Sequence, residues 1–170
     1  YGASLEKIKK VVEPRPGEIM FGLNMIVNKG KTVFVGDTSV HEYPTSEQLA
    51  EIAISSARVV RLFGFDPKVA FVSHSTFGQP LTSRTKHIKN AVEILKEKNV
   101  DFKFDGDMQP DVALNDQYKE LYPFSEIVGN SNVLIMPGQH SAVISYKMMR
   151  ELGGAKVIGP LLIGLGQPIE

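Results

Sequence analysis

The chain of 170 residues contains no cysteine. That absence excludes a disulfide framework, a thiolate zinc centre and a cysteine nucleophile. Nor is there an excess of charge: 19 basic and 19 acidic residues cancel to a formal net charge of +0. Nucleic-acid surfaces are built on a basic excess, so no nucleic-acid partner is expected, and an anionic ligand needs a local basic patch. No apolar run reaches the roughly 18 residues of a membrane span and no secretory leader is visible. The expectation is a cytoplasmic protein without a membrane partner. G-x-S-x-G, Walker and G-x-G-x-x-G motifs are all missing. His41, His74, His87 and His140 stand at no metal-ligand spacing. Internal repeats and low-complexity linkers are absent too.

What is present is a pattern for a packed core. Hydrophobic residues make up 42% and charged residues 22%, which fits one domain, or two small lobes sharing a sheet. The opening Tyr1 and the abrupt "GQPIE" point to a piece of a longer protein. Leu5, Ile8, Val11 and Val12 have helical spacing, ended by Pro14 and Pro16. Two β-rich segments, Glu18–Val27 and Lys31–Thr38, flank "NKGK" and predict a hairpin. A helix follows, capped by Thr45 or Ser46, with Leu49, Ile52, Ala53, Ser56, Val59, Val60 and Phe63 on its inner face. Then come the strand "KVAFVS", the helix "SRTKHIKNAVEILKEKN", the strand "VDFKFDG" and a partly helical "PDVALNDQYKELYP". The strand "SNVLIMP", the helix "HSAVISYKMMRELGG" and the strand "AKVIGPLLIG" complete the chain. Alternation of this kind predicts a three-layer α/β fold with a mostly parallel sheet and an N-terminal β-hairpin. "VAFVS" and "NVLIMP" read as central strands.

In such sheets ligands bind beyond the carboxyl ends of the strands. Four strand tips qualify: "GDTSVHEYPT", "SHSTFGQP", "DGDMQPD" and "PGQHSA". In the second, Ser73, Ser75 and Thr76 offer hydroxyls and Gly78 lets a backbone approach closely, as an anion at a helix start requires. The same hydroxyls equally serve as caps for the following helix. Asp105, Asp107 and Asp111 offer three carboxylates within seven residues, enough to consider a divalent cation. Against that, Asp105–Gly106 suits a turn and Asp111 a helix cap, and no metal is expected. The lysines Lys86, Lys89, Lys96 and Lys98 read as a solvated helix face.

Five blocks in order, "VFVGDTSVHEYPTSEQLAEIAISSA", "KVAFVSHSTFGQP", "DGDMQPDVAL", "SNVLIMP" and "KVIGPLLIGLGQPIE", resemble the phosphotransacetylase family. Within it, "SHSTFG" is similar to the phosphotransacetylase-like C-terminal domain of bacterial NADP-dependent malic enzymes. Phe77 stands where transferases carry Lys in "STKGS", and Gly138 and Val143 replace the two asparagines of "PNLxAGNI". The resemblance implies a phosphotransacetylase/isopropylmalate-dehydrogenase-like fold. Residues 1–16 would be a helical lead-in, and 17–170 mainly the second lobe. The Ser-Arg pair and Asp tied to acyl transfer in the family would follow Glu170, so no catalytic residue is expected here. The implied role is a regulatory and oligomerisation domain that senses acetyl-CoA. The parent would oxidatively decarboxylate malate to pyruvate, with NADP and Mg or Mn held in upstream domains. The implied acetyl-CoA contacts are Ser73, Ser75, Thr76, Phe77, Gly78, Asp107, Gln109 and Gly138. The alternative is a genuine phosphate acetyl- or butyryltransferase. A homodimer is expected as well, because the hairpin carries apolar residues on both faces.

Overall fold

A computed structural model describes residues 16–165. The helix expected over Leu5–Val12 lies outside them. Strands β1 (Phe21–Asn28) and β2 (Lys31–Gly36) form the expected antiparallel hairpin, with Asn28 opposite Lys31. At its tip Lys29 and Gly30 have φ of 47° and 78°. Two successive left-handed residues are what a two-residue turn matched to strand twist requires.

Beyond the hairpin come α1 (Ser46–Leu62), β3 (Lys68–Val72), α2 (Ser83–Glu97) and β4 (Lys103–Met108). A short α3 (Pro110–Leu114) and a 3-10 turn (Asp116–Glu120) lead to β5 (Val133–Ile135), α4 (Gln139–Gly153) and β6 (Lys156–Ile163). The strand order is β4-β3-β5-β2-β1-β6. Pairings β2–β5, β3–β5 and β3–β4 are parallel, while β1 is antiparallel to both β2 and β6. Five strands therefore run one way and β1 alone is reversed. The strand β6 shares that common direction yet joins through an antiparallel ladder. The reason is that β2 already has β5 on one side and β1 on the other.

Alternation along the central strands divides the core into two. Val69, Phe71, Val133 and Ile135 face α1 and α2, with Leu49, Ile52, Ala53, Ile88, Val92 and Leu95. Ala70, Val72, Leu134 and Met136 face the other way, against Val112, Ala113, Ile127 and Ala142. "VAFVS" and "NVLIMP" are thus central and buried on both faces, each large apolar side chain contributing roughly 1.5–3 kcal/mol. Helix α1 begins with a reciprocal cap: Gln48 N donates to Thr45 Oγ1 at 3.2 Å, and Thr45 N donates to Gln48 Oε1 at 2.8 Å. Thr45 is therefore the cap, and Ser46 is free to bond elsewhere.

Several boundaries differ from expectation. Strand β4 runs on through Met108, so Asp105 and Gly106 lie in a strand rather than a turn. Asp111 is not a cap; Gln109 holds that position and Asp111 sits in the first turn. Phe63 is substantially exposed and lies beside Phe34, with ring centroids 5.6 Å apart. The apolar hairpin offers no free face. Phe21, Leu23 and Phe34 enter one core, and Ile26, Val33 and Val35 the other.

Val133 is 0% exposed at the centre of the sheet. Val133→Ala should keep the fold and lose about 2–3 kcal/mol in urea unfolding. Val133→Asp should abolish cooperative thermal unfolding, because an unpaired charge there costs several kcal/mol. Thr45→Ala should cost about 1 kcal/mol, measured the same way.

Candidate functional site

Because β2, β3, β4 and β5 run in parallel, the loops after them gather at one edge, as the sequence predicts. The connections after β2 and β3 use one face of the sheet (α1, α2), and those after β4 and β5 the other (α3, α4). The tip of β5 is consequently flanked by two strands whose chains leave in the opposite direction. Such a switch point opens a crevice at the strand ends.

One half of this rim is organised by Asp107, 2% exposed. Its carboxylate accepts the Ser75 hydroxyl and, at 2.9 Å, Gly78 N–H. Its carbonyl accepts Phe77 N–H at 2.6 Å. Thr76 and Gln79 exchange backbone bonds of 3.2 and 3.1 Å around Phe77 and Gly78, whose φ are 50° and 80°. This is a tight left-handed turn, natural for Gly78 and strained for Phe77, at a cost of about 1–3 kcal/mol. The Phe77 ring packs on Phe124 and Tyr122, at 4.8 and 5.3 Å between centroids. Each such contact offsets roughly 0.5–1.5 kcal/mol of that strain. Gln109 closes the cluster: its N–H donates to Thr76 Oγ1 at 3.2 Å and its Nε2 to the His74 carbonyl at 2.7 Å.

The other half is organised by Asp37, 1% exposed at the end of β2. The backbone N–H groups of Gly22, Ser39, Val40 and His41 all donate to its carboxylate, at 2.7–3.2 Å. His41 Nδ1 lies 2.7 Å from Asp37 Oδ2. Gln139 N–H then donates to the His41 carbonyl at 3.0 Å, tying this loop to the start of α4. Gly138 sits here, against Glu42: a β-carbon at that position would collide with the Glu42 carbonyl. Across the same junction His140 Nε2 meets Glu42 Oε1 at 3.0 Å. His87 is a structural clasp instead, with Nε2 2.7 Å from the Pro44 carbonyl and Nδ1 2.9 Å from Ser46 Oγ.

Two open grooves of about 410 and 520 Å³ flank the Phe77 ring. Lys89 and Lys96 border the first; Gln109, Asp111 and Tyr118 border the second. Phe124, 68% exposed, lines both. Tyr118 OH donates to Asp111 Oδ2 at 3.0 Å, and that bond, with the carboxylate's charge, pushes the phenol pKa up. Asp105 spends an oxygen on Gly106 N–H at 2.8 Å. Among the described residues no group of three or more His, Asp or Glu converges as a metal would need.

The Phosphate acetyl/butaryl transferase family matches residues 1–170. The chain belongs to that family. It is 46% identical, over 170 residues, to the NADP-dependent malic enzyme of Rhizobium meliloti, covering 100% of this chain and 22% of that protein. It is 40% identical to the Phosphate acetyltransferase of Clostridium acetobutylicum over 136 residues, 79% of this chain and 41% of that one. A phosphotransacetylase structure from Streptococcus pyogenes superposes with a TM-score of 0.91 at 29% identity, over 97% of this chain and 51% of that one. The phosphate acetyl/butaryl transferase fold is thus present in a chain spanning less than a quarter of the malic enzyme and about half of the solved transferase.

Of the residues singled out in the sequence, the structure joins Ser73, Ser75, Thr76, Phe77, Gly78, Asp107 and Gln109 in one bonded cluster. Gly138 belongs to the Asp37 half. Two expected donors are already spent, since Ser75 and Gly78 serve Asp107. The sequence reading missed Asp37 and His41. Their signal was an aspartate at a strand end followed by "TSVH", where a carboxylate can collect the next N–H groups. Asp107→Ala should destabilise the protein in urea unfolding by at least about 1–3 kcal/mol, because it strands a buried hydroxyl and an N–H.

Proposed function

We propose that this chain is a regulatory and assembly domain of an NADP-dependent malic enzyme, sensing acetyl-CoA at the rim and carrying out no acyl transfer itself. The parent oxidatively decarboxylates malate to pyruvate in the cytoplasm; NADP and Mg or Mn belong to its other domains. Identity of 46% across the whole chain supports the parentage. The observation that carries the loss of transfer is the buried Asp107 carboxylate beneath the "SHSTFG" turn. It consumes the donors that would cradle a phosphoryl group and places a negative charge beside them. Phe77, where transferases of the family carry Lys, adds no compensating cation. The exposed Gln109 and the half-buried Thr76 and Phe77 suit the neutral, amide-rich part of an acyl-CoA. Ser73, Ser75, Gly78 and Asp107 form the scaffold under them, and Gly138 shapes the far side of the crevice.

A homodimer through this domain is part of the proposal. Ile144, Met148 and Leu152 form an exposed apolar stripe along α4, spaced for helix-to-helix packing about a two-fold axis. The second reading, a genuine phosphate acetyl- or butyryltransferase, rests on the 40% identity to the Clostridium acetobutylicum enzyme.

Thr76→Ala in the full-length protein should raise the acetyl-CoA concentration for half-inhibition of malate oxidation roughly tenfold, since about 1.4 kcal/mol is tenfold in affinity. Acetyl phosphate and coenzyme A should give no acetyl-CoA in the same preparation. Steady turnover there would establish the transferase instead. Met148→Glu should shift the sedimenting species toward smaller assemblies.

A further inference from the structure

We propose that His41, locked in place by the buried Asp37 carboxylate, is an anion-binding residue of the rim that presents Nε2–H to a phosphate oxygen of the ligand. The inference rests on reading the rim as the ligand site; it adds a residue, a ligand chemistry and a pH dependence.

The geometry is that of a preset imidazole. Asp37 takes four backbone N–H donors and is 1% exposed, so its position is fixed by the chain itself. Its Oδ2 lies 2.7 Å from His41 Nδ1, which makes Nδ1 the protonated nitrogen, because a carboxylate can only accept. The ring is then held from both its own N–H and its Nδ1. Its side chain is 17% exposed. Nε2 bonds to nothing among the described residues and is not one of the buried unpaired atoms, so it opens to solvent. An oriented, half-buried donor loses little freedom on binding.

The two halves of the rim differ in charge logic. Around Asp107 the Ser75 hydroxyl and Gly78 N–H are spent on a carboxylate, and the cations nearby are the exposed Lys89 and Lys96 of the flanking groove. At the β2–β5 half each imidazole gives one nitrogen to a carboxylate, but His140 and Glu42 are exposed whereas His41 is held by the buried Asp37, so His41 is the oriented one. The titratable and charged groups joined to this junction are Asp37 beneath the ring, Glu42 next in the chain and His140 on α4. With Nδ1 committed, Nε2 carries a proton to offer an anion only when the ring is protonated. Affinity for an anion therefore falls when the ring gives up that proton.

The test is calorimetric titration of the full-length protein with coenzyme A and, separately, inorganic phosphate at about pH 6 and about pH 8. Buffers of different ionisation enthalpy report protons taken up on binding. Wild type should bind coenzyme A about tenfold more tightly at the lower pH and take up a proton at the higher one. His41→Gln should flatten both, and His140→Gln should leave both in place. The titration of the ligand's own phosphates is common to all variants and cancels in the comparison. Coenzyme A bound with the wild-type pH slope by His41→Gln overturns the proposal while leaving acyl-CoA sensing intact. His41-dependent proton uptake with inorganic phosphate, but no coenzyme A binding, supports His41 and removes acyl-CoA as the ligand. Wild-type binding without proton uptake, loss of the slope in His140→Gln, or no binding of either probe overturns it.

Discussion

A parallel strand that stops leaves backbone N–H groups without a ladder partner, and here two buried carboxylates meet that demand. Asp37 gathers four N–H groups at the end of β2, one of them Gly22 N–H from the neighbouring β1. Near the end of β4 the Asp107 carboxylate takes one N–H, that of Gly78 in the loop after β3, and the Ser75 hydroxyl. A buried carboxylate is tolerated only when so bonded, and once so bonded it fixes the loops that supply its donors. The rim is therefore rigid at two points, and every candidate ligand contact hangs from one of them.

From these anchors the asymmetry of the site follows. The Asp107 half is aromatic and its inner donors are bonded within it, with Lys89 and Lys96 bordering the groove beside it; Thr76, Phe77 and Gln109 stand outward from it. The Asp37 half carries an imidazole whose outer nitrogen has no partner among the described residues. Gly138 matters because α4 must start against the Glu42 carbonyl, where any side chain would collide. A ligand with one neutral and one anionic portion matches this division better than a free phosphoryl donor does.

The two-core arrangement explains how so short a stretch can carry such a rim. Each central strand is apolar on both faces, so β3 and β5 are packed between helical layers. The hairpin completes the sheet from the other side. Its apolar excess, which from the sequence looks like an interface, is absorbed by the chain's own cores. The exposed apolar stripe lies instead on α4, where only Ala142 is buried.

The sequence by itself determined the elements and their order. Alternating apolar runs such as "KVAFV", a cap at Thr45 or Ser46 and the Lys29–Gly30 turn are local features, and local sterics and hydrogen bonding decide them. It also made legible which strand tips gather at one edge, because topology follows from alternation. What it could not decide was who bonds to whom across the sheet. Whether Ser75 and Gly78 face a ligand or Asp107 depends on β3 and β4 lying side by side, 32 residues apart for the Ser75–Asp107 bond. The placement of Gly138 depends on β5 lying beside β2, and the pairing of β6 on β2 having no free edge left. The Asp37–His41 pair spans only four residues, yet its value as a site came from the same source: the rim that turns a capped strand end into a presented nitrogen exists only once four strands point the same way.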